Sequence, residues 1–368
     1  MPELDGARRE LFDRIREELA EENQLSSLQA RNFVRCLQTT WDVETIRWSS
    51  GNTADQLRDA RRLIHAAKVL TEIEEDDSGA SQACFRRASE LLEWLTRSDA
   101  TLESAGPYRL LAAASYQLAG LPAMARGLLQ QGDWELDGSR LLANFLQADF
   151  DRVLADVARF WRHNLSLARS DALERLERGD DDDLLGWGIT VDIVRCVGLI
   201  AHALRVGDDN RLDVAIRKLS GLDRWVAREF SDQTALLVEL LYLVSLRYRA
   251  TSIYHPLRAL SDINPRRRSK LEKLARRQFG IGRGLLWKSQ QMGLERLLEH
   301  SSFALCTPTG SGKTLVANMA LIKELLLVEA EDDVAPLAIY LVPSRALAGE
   351  VEGKLSREMG DELIVTGL

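Results

Sequence analysis

Proline and aromatic residues are scarce in this 368-residue chain, with eight prolines and aromatics at 6%. So few prolines predict long helices and short connections, because proline removes a backbone donor and breaks helix interiors. Cys36, Cys84, Cys196 and Cys306 stand apart with no CxxC pair. That spacing argues against a zinc centre or a disulfide framework and for reduced thiols. The five histidines are equally scattered, and metal centres need clustered ligands. A membrane span needs about 20 apolar residues. The best run, "GITVDIVRCVGLIAHAL" (188–204), is interrupted by Asp192, Arg195 and His202 and reads as a buried helix. The opening stretch, "MPELDGARRELFDRIREELAEE", is too charged to read as a signal peptide. The expectation is a cytoplasmic protein without membrane contact. Net charge is -8, so any surface for nucleic acid must be local.

Apolar residues make up 45% and charged residues 28%, which suits a globular chain of two or three domains. From Leu4 to about Ile263 apolar residues recur at helical spacing: Leu11, Phe12, Ile15 and Leu19; Leu57, Ala60, Ile64 and Ala67; Phe85, Ala88, Leu92 and Leu95; Val153, Leu154, Val157, Phe160 and Trp161. The breaks, such as "EEDDSGAS", "QQGDWELDGS" and "VGDDN", are Gly, Asp, Ser and Asn clusters that stop one helix and cap the next. One stretch, "YRLLAAASYQLAGLPAMARGLLQQG", resembles a tetratricopeptide unit through Tyr116, Gly120 and Ala125, with Ala88 as the equivalent position one unit earlier. A degenerate repeat and a non-repetitive bundle both fit. No catalytic constellation stands in this region, and "GDDDD" (179–183) reads as a solvated acidic turn. Residues 1–263 are therefore expected to form a mostly α, all-helical regulatory or interaction domain that offers a surface to a protein partner.

The character changes after Gly280. "SSFALCTP" reads as a short buried strand, "TGSGKT" as a glycine loop, and "LVANMALIKELLL" as a helix with Leu315, Met319, Ile322 and Leu326 on one face. Strand, glycine loop and helix is the setting of a phosphate-binding loop. Thr307, Pro308, Thr309, Gly310, Ser311, Gly312, Lys313 and Thr314 would form it, with Thr307 where the general pattern has glycine. Backbone N–H groups at Gly310 and Gly312, and the positive end of the helix, suit a phosphate. Lys313 is expected at the β- and γ-phosphates and the Thr314 hydroxyl on Mg²⁺. ATP and Mg are thus the expected cofactors.

Two flanking segments narrow the class. "PSRALAGE" (343–350) resembles motif Ia of superfamily 2 helicases, and "GLLWKSQQMGLERLL" resembles their Q motif, with Gln290 at the matching distance before Lys313 and Lys288 where the family commonly has proline. The loop itself has the form usual in the DEAD-box and superkiller-type DExH branch. This resemblance covers about 279–368. It implies a RecA-like α/β domain with parallel strands, of which "APLAIYLVP" and "ELIVTGL" would be two. It also implies adenine recognition by Gln290 and contact of Ser344 and Arg345 with a strand of DNA or RNA, single-stranded or at a duplex junction. The Asp-Glu motif II of that family is not found in the sequence. The reading is therefore of the N-terminal part of an ATP-dependent helicase or translocase, 281–368 being a partial RecA-like domain that hydrolyses ATP poorly by itself. Large bacterial helicases with helical N-terminal regions are associated, at family level, with antiviral defence. Two other readings stay open: a signalling P-loop NTPase with a helical-repeat sensor, and a helical scaffold with a vestigial loop.

Between the two parts runs "NPRRRSKLEKLARRQFGIGRGLLWK". From Arg266 to Lys288 it carries nine Lys or Arg against one acid, Glu272. Residues 264–280 read as a basic linker helix on an apolar strip of Leu271, Leu274 and Ala275. It is either a solvated connection or, through Arg266, Arg267, Arg268 and Arg277, a track for nucleic-acid phosphates.

Overall fold

The computed structural model describes residues 50–72, 79–97, 105–164, 182–229, 232–299, 302–306, 312–327, 336–360 and 363–367, with Gly6, Glu10 and Arg14. The Leu11–Leu19 stripe, the start of the acidic turn at Gly179 and loop residues 307–311 lie outside this set. The chain divides into two compact units, Met1–Arg249 and Ala250–Leu368.

The first unit is helical throughout its described residues. Its helices are α1 Ser50–Glu72, α2 Ala80–Thr96, α3 Ala105–Leu118, α4 Pro122–Gln130, α5 Asp137–Leu146, α6 Phe150–His163, α7 Asp182–Val206, α8 Asp209–Glu229 and α9 Asp232–Ala250. Sequence neighbours pack on one another, α1 on α2, α2 on α3, α3 on α4, α5 on α6 and α7 on α8. The spacing that predicts the helices also selects the buried face. Ala60, Ile64, Ala67 and Leu70 on α1, and Phe85, Ala88, Leu92 and Leu95 on α2, all point into the core. Helix α3 is buried almost all round, from Leu110 to Leu118, as expected of a helix with neighbours on every side.

The tetratricopeptide-like stretch forms a helical hairpin. Tyr116 and Ala125 are buried, the Tyr116 hydroxyl donates to Glu93 Oε2 at 2.6 Å, and Gly120 turns the chain at φ 78°. Only glycine adopts that conformation without strain. At the break "VGDDN", the N–H groups of Gly207 and Asp208 return to the Ala203 carbonyl, and Asp208 Oδ1 accepts from the Arg211 N–H at 3.0 Å, closing α7 and capping α8.

The centre of this unit is an aromatic cluster. The rings of Phe145, Phe150 and Tyr248 meet edge to face with centroids 5.4–6.3 Å apart. The Tyr248 hydroxyl donates to the carbonyls of Phe145 and Leu146, at 3.0 and 3.2 Å, and Gln117 Nε2 donates to Leu146 as well. Next to Tyr248, Arg247 donates to the Leu118 carbonyl at 2.8 Å. The last turn of α9 thus supplies donors to C-terminal carbonyls of both α3 and α5, the Phe145 carbonyl being shared with the Ala148 N–H and that of Leu146 with Gln117. A second polar group lies on α5 and α6, where the buried Asp156 accepts from Asn144 at 2.7 Å and Arg140 at 3.1 Å, and Arg140 and His163 both bind Asp137.

The second unit contains α10 Tyr254–Ser261, a 3₁₀ turn at Pro265–Arg267, α11 Arg268–Gly280, α12 Lys288–Glu299, α13 Lys313–Ile322 running on into a π turn at Lys323–Leu327, and α14 Arg345–Met359. Residues 251–253 pair with 284–286 through an antiparallel bridge: the Leu286 N–H donates to Thr251 at 2.8 Å and the Ile253 N–H to Gly284 at 2.9 Å. Beyond that bridge, no β-ladder forms among the described residues. The expected strand segments, at 302–306, 336–342 and 364–367, run outside helices without pairing. Their apolar side chains stand in solvent: Leu337 is 86%, Leu341 87% and Ile364 97% exposed. A parallel strand needs a partner along at least one edge and helices over its faces, so strand-like composition alone does not make a sheet here.

Candidate nucleotide and nucleic-acid site

The phosphate loop reaches the described residues at Gly312, which caps α13 with φ 78° and ψ 23°. Its carbonyl accepts from the Leu315 N–H at 3.0 Å and from Gln290 Nε2 at 3.4 Å. A Cβ at Gly312 would collide with that carboxamide. Glycine is thus required twice over, for the left-handed turn and for the approach of Gln290. Lys313, first in α13, is exposed, and Thr314 is half-buried. The opening N–H groups of the helix have no intrahelical partners and sit at its positive end. On the opposite face, Val316, Met319 and Ile322 anchor α13 in the core.

Gln290 has a second task. It is the third residue of α12, and its Oε1 accepts from the Trp287 N–H at 2.9 Å, the glutamine half of a capping box. One carboxamide therefore fixes the start of α12 and touches the end of the phosphate loop. Gly293, one turn further on, brings α12 against α13: a Cβ there would stand 2.9 Å from Val316 Cγ2.

Ser344 and Arg345 open α14. The Ser344 hydroxyl accepts from the Leu347 N–H at 3.3 Å as its N-cap, and both side chains are exposed. At its far end, Glu358 gathers three partners. Its Oε2 accepts from Asn318 of α13 at 2.9 Å, its Oε1 pairs with Arg283 at 3.2 Å, and its backbone carbonyl accepts from Arg277 of α11 at 2.8 Å. The helix of the phosphate loop and the helix of the motif Ia-like segment are thus joined through one carboxylate.

The four arginines of the basic segment separate into two groups. Arg266, Arg267 and Arg268 are exposed, Arg268 pairing with Glu272 at 3.3 Å. Arg277 is half-buried and turned to Glu358. Leu271 and Ala275 of the apolar strip are buried, together with Phe279, whose ring stacks on Tyr254 with centroids 5.6 Å apart.

The DEAD/DEAH box helicase family matches residues 287–366. The matched span starts at Trp287, takes in Gln290, Gly312, Lys313, Thr314, Ser344 and Arg345, and supports a helicase-like, ATP-dependent nucleic-acid enzyme. That family generally uses ATP with Mg. A search of curated proteins finds no match to the chain. Among the described residues no helix is long and apolar enough to cross a membrane, and no group of three or more His, Cys, Asp or Glu is placed to hold a metal ion.

Sequence reading alone did not single out Gly293, Asn318 or Glu358. The small residue among larger ones in "QQMGLERLL" is the one signal for Gly293. Asn318 and Glu358 take partners from distant helices, so no local pattern marks them.

Proposed function

We propose that the second unit is an ATP-binding part of a superfamily 2 helicase or translocase of DNA or RNA, and that the helical unit serves it as a regulatory or partner-binding domain. The observation that carries this reading is the contact of Gln290 with Gly312, which joins the Q-like segment to the phosphate loop inside the span matched by the helicase family. The fit to ATP·Mg²⁺ rests on the Gly312 turn, closed to any side chain, and on the positive end of α13 beside exposed Lys313. Lys313 would bind the β- and γ-phosphates and Thr314 would ligate Mg²⁺, while Thr307, Pro308, Thr309, Gly310 and Ser311 would wrap the phosphates with their backbone. Gln290 would read the adenine edge. Bound ATP would supply the phosphoanhydride bond whose cleavage drives movement. The unpaired segments at 302–306, 336–342 and 364–367 would be strands of the parallel sheet of a RecA-like domain.

Titration with a fluorescent ATP analogue tests the nucleotide site. Lys313→Ala is expected to abolish measurable binding while circular dichroism stays unchanged, since the side chain is exposed. Undiminished binding by the folded variant would refute the assignment.

Ser344 and Arg345 would contact nucleic-acid phosphates, and Arg266, Arg267 and Arg268 would extend the track. Each contact to a single strand contributes about -0.7 to the salt slope of binding. Replacing the three arginines by alanine is expected to flatten that slope by roughly 2 units in fluorescence-anisotropy titrations. An unchanged slope would return the segment to a solvated connection.

A further inference from the structure

Helices α6, α7 and α8 of the first unit line a half-open cavity of about 720 Å³. Cavities of roughly 300–1,000 Å³ are the size that buries a small molecule. Its walls come from helical geometry: each helix contributes two residues four apart, which lie on one face. From α6 these are Val157 and Trp161, from α7 Arg195 and Leu199, and from α8 Lys218 and Leu222. Gly198 sets the closeness of α6 and α7, because a Cβ there would stand 3.0 Å from Val157 Cγ2.

The walls are mostly apolar, and their charges are unevenly matched. The Arg195 guanidinium lies 5.3 Å from the centroid of the Trp161 ring and pairs with Asp192 at 3.6 Å. Lys218 sits about as far along α8 from the Gly207 turn as Arg195 does along α7, so the two cations reach the cavity at one level. Lys218 has no hydrogen-bond or ion-pair partner among the described residues. Cys196 also faces the cavity, its thiol pushed up to about 11 by burial and by Asp192, so it serves as a neutral wall.

We propose that this cavity binds a small organic anion, its apolar body against Trp161, Leu199 and Leu222 and its anionic group on Lys218. An anionic ligand would add a partner for Lys218, whereas a cation would meet Arg195 and Lys218 against the single carboxylate of Asp192. A half-open, mainly apolar cavity with two cations and one carboxylate differs from the track of cations along an open surface that a nucleic-acid backbone needs. The proposal is independent of the ATP reading.

The test uses the whole chain and two fluorescent probes of nearly the same shape: 8-anilinonaphthalene-1-sulfonate, an anion, and N-phenyl-1-naphthylamine, its uncharged counterpart. The anion should saturate at one site per chain, and the uncharged probe should compete for that site more weakly. Lys218→Ala should weaken the anion by roughly three- to tenfold, the range for a partly exposed charged contact, and leave the uncharged probe within about twofold. Lys218→Arg should restore the anion. Leu199→Glu should weaken both probes by roughly tenfold or more, by removing apolar wall and placing a charged group in the space the aromatic rings would fill. Lys218 and Leu199 are exposed, so circular dichroism should be unchanged; Lys218→Gln and Leu199→Gln provide a second pair should either first variant fold poorly. Non-saturating binding, or equal anion affinity in the wild type and both classes of variant, would overturn the site. Loss of both probes in Leu199→Glu with no effect of Lys218→Ala would overturn its anion selectivity.

Discussion

The two units of this chain respond differently to the same kind of sequence. In the first, apolar stripes at helical spacing become buried helix faces. In the second, the helices again bury their stripes, but Leu337, Ile339 and Leu341 of an apolar run lie open to solvent. A helix closes its backbone hydrogen bonds within itself and asks only that one face be covered. A strand leaves its N–H and C=O groups to neighbours, so its sequence is a request that other segments must answer.

That contrast can be broken most forcefully in the first unit. Phe145→Ala empties the centre of the aromatic cluster and is expected to lower stability by about 3–5 kcal/mol, read as a drop in the urea midpoint. Binding of the ATP analogue by the molecules that remain folded should stay as in the wild type. A loss of binding in step with the fraction of variant that is folded fits this expectation; a loss beyond it would mean that the units do not act separately.

A smaller stability effect with a larger functional one is expected in the second unit. Gly312→Ala places a side chain in a left-handed turn, at a cost of about 1–2 kcal/mol, and pushes it into the Gln290 carboxamide. Affinity for the ATP analogue should fall by at least roughly tenfold, while the urea midpoint of the helical unit does not move. Retained affinity would show that the loop tolerates a different Gly312 conformation.

The smallest effect sharpens the comparison through pH. His163 and Arg140 hold the Asp137 carboxyl below its ordinary 3.8, His163 contributing most. A depressed folded-state value means that this stabilisation is complete above the unfolded value of about 3.9 and is lost as pH falls through the folded one. Asp137→Asn should therefore lower the urea midpoint near neutral pH, and the gap to the wild type should narrow as pH falls below about 4. A gap independent of pH would remove the ion pairs from the account.

Much of the helical unit was legible in the sequence because its decisive contacts are local. Ala60, Ile64 and Ala67, or Phe85, Ala88 and Leu92, announce their own buried face. The Gly207–Asp208 break names its caps. In the candidate site, Gly312, Lys313 and Thr314 could be read from the motif, and Gln290 from its distance to it. Its role as a cap for α12 was not visible, because the motif suggests a ligand and the capping box follows from where the helix starts. Glu358 could not be found at all. Its partners Arg277, Arg283 and Asn318 come from two helices and a loop, and nothing in "GKLSREMG" distinguishes it from Glu350 or Glu352. Arg277 shows the same limit from the other side: in the sequence it is one more cation in a basic run, and only packing turns it toward α14.

The donors that α9 lends to α3 and α5 bear on the order in which this unit can be completed. Arg247 reaches Leu118 across a sequence separation of 129 residues, and the chain between them must be gathered before that bond can form, a closure whose entropic penalty grows with the logarithm of its length. During synthesis, α3 and α5 emerge first, and the Leu118 carbonyl waits for its side-chain donor until α9 arrives. A nascent or cleaved chain that stopped short of Arg247 would keep the Ala148 and Gln117 bonds at the end of α5 but leave the Leu118 carbonyl without its Arg247 donor, so the final helix of the unit works as its latch.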